Sequence, residues 1–189
     1  MKLTNSMELA VRFQLNRLRA MAQDSDGICW CPLCRADMMA LALTSLPPRY
    51  ATRRPADLDA DPEMATIVRD GVVLARDQVE RFPKHAKGAA VAAGAPVWVV
   101  NFSLEEAFRA VDAILHQHDG ACDCWNCRCD MVAFALNRYP ACYGVEHEGQ
   151  THLFEKDRVQ MRAELESFLD LAARVVTTVP RHEYSTATV

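Results

Sequence analysis

Apolar residues recur along this chain at helical spacing. Met7, Val11, Leu15, Leu18 and Ala22 fall three or four residues apart and mark one face of an opening helix. Leu104, Phe108, Val111 and Leu115 repeat the pattern further along, where "SLEE" at Ser103 to Glu106 reads as a capping box. Each opening helix is expected to end at an Asp-Gly pair, Asp26-Gly27 and Asp119-Gly120, where glycine permits the turn into the cysteine loop. Short apolar helices are expected over 37–46 and 130–139, stopped by Pro47 and Pro140. A third helix begins at Asp61-Pro62, an N-cap followed by a first-turn proline, and carries Val68, Val72, Ala75, Val79 and Phe82 on one face. Leu165, Leu169, Ala172, Val176 and Val179 lie in the same phase later in the chain, and the two stretches close on "FPKH" and "VPRH".

The periodicity therefore runs twice, and the residues themselves agree. Residues 29–50 align without a gap on residues 122–143, with eleven of 22 positions identical, among them three cysteines, an arginine, an aspartate, a proline and a tyrosine. The layout that follows is a first unit at 1–85, a linker at 86–102, a second unit at 103–182 and a tail at 183–189. The linker is rich in small residues, although Val97 to Val100 is apolar enough to pack down or form a short strand. With no other strand signal the expected class is all-α: two three-helix units packed as a pseudo-dimer. Units this small have thin cores, so a metal or burial of one unit against the other must add stability. The apolar faces at Val68 to Phe82 and Leu165 to Val179 are expected to supply that mutual burial.

Composition narrows the partners. Half of the 189 residues are apolar and the net charge is −4, which excludes disorder and gives no general attraction to nucleic acid or anionic membrane. The N-terminal residues carry charges where a signal peptide would be apolar, and no apolar run is long enough to span a bilayer. The cytoplasm is the expected compartment, and there clustered cysteines read as metal ligands before disulfides.

Cys29, Cys31 and Cys34, with Cys122, Cys124 and Cys127, form two C-x-C-x-x-C loops, a spacing that points several thiolates at one tetrahedral zinc ion. Three thiolates make a poor Lewis acid, so the sites read as structural. The fourth ligand is open: His85 and His182 recur at matching positions, within their own unit or exchanged, while Cys129 or Cys142 is an alternative at the second site. A reduced-thiol cluster and a redox pair are the competing readings. No nucleophile with a base, glycine-rich phosphate loop or H-E-x-x-H motif supports an enzyme.

The succession of C-x-C-x-x-C, "DMMALAL" and "LPPRY" resembles the ComFB family of late competence development proteins. The resemblance implies helical zinc-binding domains that form an intertwined homodimer in the bacterial cytoplasm and act as receptors for cyclic dinucleotides, cyclic di-GMP above all. A tandem copy would then be similar to that dimer fused into one chain. The sequence departs from the family at Thr44, where asparagine is usual and Asn137 keeps it, and at "PACY", which lacks the arginine that Arg49 supplies in the first unit.

Such a ligand needs cations for its phosphates, a flat group to stack on guanine and an acceptor to read the base edge. The first unit offers Arg49, Tyr50, Arg53 and Arg54, with Arg35 and Asp37 one helix away. The second offers Arg128, Asp130, Arg138 and Tyr143, with Glu146 and Glu148 where the first has arginines. The stronger phosphate contacts are therefore expected in the first unit. Each residue also has a plain alternative: the tyrosines as packing under the proline turn, the aspartates as helix-terminus charges, and Arg53 and Arg54 as a solvated loop. A signal would pass to a downstream protein, and the alternative function is a zinc-stabilised interaction module without a nucleotide.

Overall fold

The computed structural model describes residues 3–22, 27–52, 61–86, 89–152 and 157–178. Its first unit contains α1 (Ser6–Met21), α2 (Pro32–Ser45) and α3 (Pro62–Arg81), with the short strands β1 (Thr4–Asn5) and β2 (Tyr50–Ala51). The second contains β3 (Val97–Asn101), α4 (Phe102–Gln117), α5 (Trp125–Leu136), β4 (Tyr143–His147), β5 (Gln150–His152) and α6 (Arg158–Thr178). The class is thus helical with two small antiparallel sheets, which corrects the all-α expectation. Two of these strands are only two residues long and become strands because a partner backbone is beside them, a condition that local periodicity does not record.

The same pairing recurs in both units. Asn5 pairs with Tyr50 and Asn101 with Tyr143, and in each case the asparagine also caps the helix that follows, accepting from the amide of Met7 or Leu104. Asn101 takes the cap expected of Ser103. Glu106 does not reach back: it is fully buried and faces Arg109, Arg158 and Arg162. The second unit extends its sheet with the β4–β5 hairpin, turned at Glu148 and Gly149, both at positive φ. Both short helices begin well before Asp37 and Asp130, so Cys34 and Cys127 lie in first helical turns.

The third helices cover their own units. Val68, Val72, Ala75 and Val79 of α3 bury against α1 and α2, and Leu165, Leu169, Ala172 and Val176 of α6 bury against α4 and α5. Phe82, at the end of the expected stripe, is 71% exposed, and Val179 lies outside the described residues. The units are instead joined by exchanged strands. β2 of the first unit lies on α5 of the second, while β3 and β4 lie on α2 of the first. One core accordingly mixes Leu3 and Tyr50 with second-unit residues, and the other mixes Ala141, Tyr143 and Val145 with the first unit.

Candidate metal centres and the pocket between the units

Gly27 and Gly120 adopt φ of 69° and 81°, turning the chain from the opening helix into each cysteine loop. In the first unit Cys29, Cys31, Cys34 and His85 converge, their ligand atoms all within 4.8 Å of one another. A tetrahedral ion with bonds near 2.3 Å holds its donors about 3.8 Å apart, so the set fits such an ion. His85 sits just beyond α3, and its Nδ1 lies 2.9 Å from the Ala86 carbonyl. Donation from Nδ1 to that carbonyl leaves Nε2, 3.1 Å from the Cys34 sulfur, free to ligate.

The electrostatics of the thiols favour a cation among them. Burial pushes the Cys34 thiol well up, and the neighbouring Cys31 and Cys29 push further. Burial opposes ionisation of Cys31 too, but the Cys34 and Val91 amides and adjacent thiols outweigh it and bring that group to about 7. Three such thiols do not ionise together without a cation between them. In the second unit Cys122, Cys124 and Cys127 converge in the same way, with Cys127 pushed up to about 12 by burial and by Cys124 and Cys122. Cys129 is buried on α5 and Cys142 precedes β4, and neither belongs to that cluster. His182 lies outside the described residues. The exchanged arrangement is excluded for His85, which joins the cluster of its own unit.

A pocket of about 480 Å³ opens where the units meet. Tyr50, Ala51 and Thr52 line one side, and Asp130, Phe134, Asn137 and Arg138 line the other, with Val175 and Val176 of α6 below. Asn137 holds the seam, donating to the Tyr50 carbonyl at 2.9 Å and accepting from the Tyr50 amide at 2.6 Å. Thr52 donates to Asp130 at 3.0 Å. The Arg138 guanidinium stacks 3.5 Å above the Phe134 ring, its Nη1 donating to the Phe134 carbonyl.

A comparison with protein families decides the chain's kinship: the model of the family described as late competence development protein ComFB matches residues 4–83 and again 101–180. The chain belongs to the ComFB family. Comparison with curated proteins and with solved structures returns no match. Both ComFB units span the helices, cysteine loop and strand described above, so the duplication covers most of the chain.

The residues expected to contact a ligand are distributed differently in this ComFB tandem. Among the described ones, only Tyr50, Asp130 and Arg138 line the pocket between units, and two of these three come from the second unit. Tyr50 and Tyr143 are buried, and Asn101 donates to both hydroxyls, at 2.6 and 2.8 Å. Tyr143 also donates to Glu8. Arg49 pairs with Asp61 at 3.6 Å outside the pocket lining. Arg128 pairs with Asp112. Arg35 bonds Asn16 at 2.8 Å in a different pocket. Asp37 is buried with neither carboxylate oxygen hydrogen-bonded. Its pseudo-equivalent, Asp130, has Thr52, whereas the residue matching Thr52 in the second unit is Val145. Arg53 and Arg54 lie outside the described residues. The sequence reading did not single out Thr52 or the pocket-forming role of Asn137, although Asn137 stood out as the family residue that Thr44 replaces.

Proposed function

We propose that the chain is a non-enzymatic receptor for cyclic di-GMP, with a zinc ion stiffening each unit. The observation that carries this reading is the pocket between units, which brings a carboxylate, a guanidinium and strand backbone together from both halves of the duplication. Arg138 supplies the charge a phosphate requires on a net-acidic protein, and its planar head also suits stacking on guanine. Asp130 accepts from the guanine edge, and Asn137 positions the β2 backbone against the ligand. Arg53 and Arg54 stand two and three positions past the end of β2 in the sequence and are further cations of the first unit.

Zinc suits three thiolates with one imidazole better than harder ions do. At each site it ties a cysteine loop to the start of a helix, and at the first it also ties in the chain beyond α3. A ligand seated at the seam bridges β2 and α5, so its binding changes how firmly the units are held, which is the change a downstream protein reads.

Calorimetric titration of the zinc-loaded chain with cyclic di-GMP tests the proposal. Binding is expected, weakening with salt and falling about ten- to hundredfold in Arg138→Ala. Arg49→Ala is expected to cost less, since Arg49 lies outside the pocket lining. Absence of heat and of thermal shift would leave the zinc-stabilised interaction module as the function.

A further inference from the structure

The duplication contains its own control for a second site. The arginine that follows the last cysteine of each cluster, Arg35 or Arg128, bonds the residue eleven places beyond the capping asparagine. In the second unit that residue is Asp112, and the charge is neutralised. In the first it is Asn16, whose amide oxygen accepts from Arg35 at 2.8 Å and leaves the charge in place. The Nε of Arg35 is buried with no partner.

The surroundings differ in the same sense. Positions 12 and 19 on α1 are arginines, and their counterparts seven and fourteen residues past Asn101 are Phe108 and Leu115. Phe108 stacks on Trp125 at 5.5 Å and 6° and fills that region of the second unit. The residue matching Trp125 is Pro32, and the first unit is open there: a pocket of about 650 Å³, lined by Arg12, Arg19, Arg35 and Trp30. Leu15 and Val91 contribute apolar wall. Among the described residues no carboxylate lines this pocket or pairs with any of the three arginines.

The adjacent cysteines do not cancel this charge. A divalent ion bound by three thiolates and a neutral imidazole carries about −1, leaving an excess of about +2 from the guanidiniums. Three like charges are gathered beside an indole, in a volume suited to a small molecule. We infer that this pocket binds a phosphomonoester with a flat aromatic body, the chemistry of a mononucleotide, with the phosphate on the arginines and the ring against Trp30. The site is separate from the seam between units and does not depend on the cyclic di-GMP reading.

The test is calorimetry of the zinc-loaded full chain with guanosine 5′-monophosphate, and with inorganic phosphate alone. The nucleotide is expected to bind, and phosphate at least about tenfold more weakly because it lacks the stacking body. Asn16→Asp, which installs the second unit's own carboxylate beside Arg35, should weaken the nucleotide about tenfold or more at unchanged melting temperature. Arg138→Ala, at the other pocket, should leave it unaltered. If Asn16→Asp unfolds the protein, Arg19→Ala on the exposed surface decides by the same loss. No heat with the nucleotide, equal affinity for phosphate, wild-type binding in the folded α1 variant, or loss of binding in Arg138→Ala would each overturn the proposal.

Discussion

Asn137 grips the Tyr50 backbone by both of its polar groups, at 2.6 and 2.9 Å, across the boundary between units. Its counterpart Thr44 makes only one such bond, accepting from the Tyr143 amide at 3.1 Å. The two seams are therefore unequal, and the family departure at position 44 has a physical content: a single hydroxyl oxygen replaces a carboxamide that accepts at one atom and donates at another.

Asn137→Ala removes both partners of the part-buried Tyr50 amide and carbonyl, and should lower stability by about 1–3 kcal/mol at roughly 0.5 to 1.5 per bond. Thr44→Val removes one bond at similar volume and should cost about 1 kcal/mol. Urea unfolding of both variants checks the ratio, and equal losses would show that the seams are equivalent.

Metal content should be close to two zinc ions per chain in the reduced, purified protein, since two clusters of thiols converge. His85→Ala should remove the first ion and leave the second, because His85 completes only the first cluster. Elemental analysis together with proteolysis of the first unit reads both effects, as metal affinity here is folding free energy.

Glu106 is fully buried among Arg109, Arg158 and Arg162, which tie α6 to α4. Burial raises its pKa, but the Arg162 and Arg158 hydrogen bonds outweigh that and hold the carboxyl below its ordinary value. A depressed carboxyl contributes its stability above the unfolded pKa and loses it as pH falls through the folded one. Glu106→Gln should cost about 1.5–3 kcal/mol at pH 7, and the deficit should close on acidification below the ordinary value of 4.5. A deficit independent of pH would assign the loss to packing alone.

Asp37 has the opposite sign. Burial raises its carboxyl from 3.8 to about 6, against the pull of Lys84 and His85. A raised acid favours folding fully only below the unfolded pKa, and that advantage is lost as pH rises through the folded value. Asp37→Asn should therefore be more stable than the wild type at pH 7.5, by at most about 3 kcal/mol from two pKa units, with the gap shrinking toward pH 5. Thermal unfolding of the two metal-loaded proteins across that range measures it.

Much of this was readable in the chain. The stripes of the long helices, the Asp61 cap, the two cysteine loops and their repetition are local or periodic features, and Asp61 does accept from the Met64 amide at 3.1 Å. The identity of His85 as the partner of Cys29, Cys31 and Cys34 was legible because the repeat marked it with a counterpart. The capping role of Asn101 was hidden behind a stronger local motif at Ser103, and Glu106 left that motif because Arg158 and Arg162 of α6, with Arg109 of its own helix, compete for it.

By itself the sequence determined that two like helical units exist, that each carries a thiol cluster, and that each needs cover from the other. These follow from spacing, since a helix stripe and a C-x-C-x-x-C loop are written within a few residues. Which surfaces meet was decided only by the tertiary structure. The stripes of α3 and α6 turned inward on their own units because α1, α2, α4 and α5 offered apolar faces at closer range. The cover came instead from strands two to five residues long, whose stability lies in hydrogen bonds to backbone and to Asn137 and Thr44 far away in sequence. Such pairing has no local period, so Tyr50 met Asn137 only when the chain had folded.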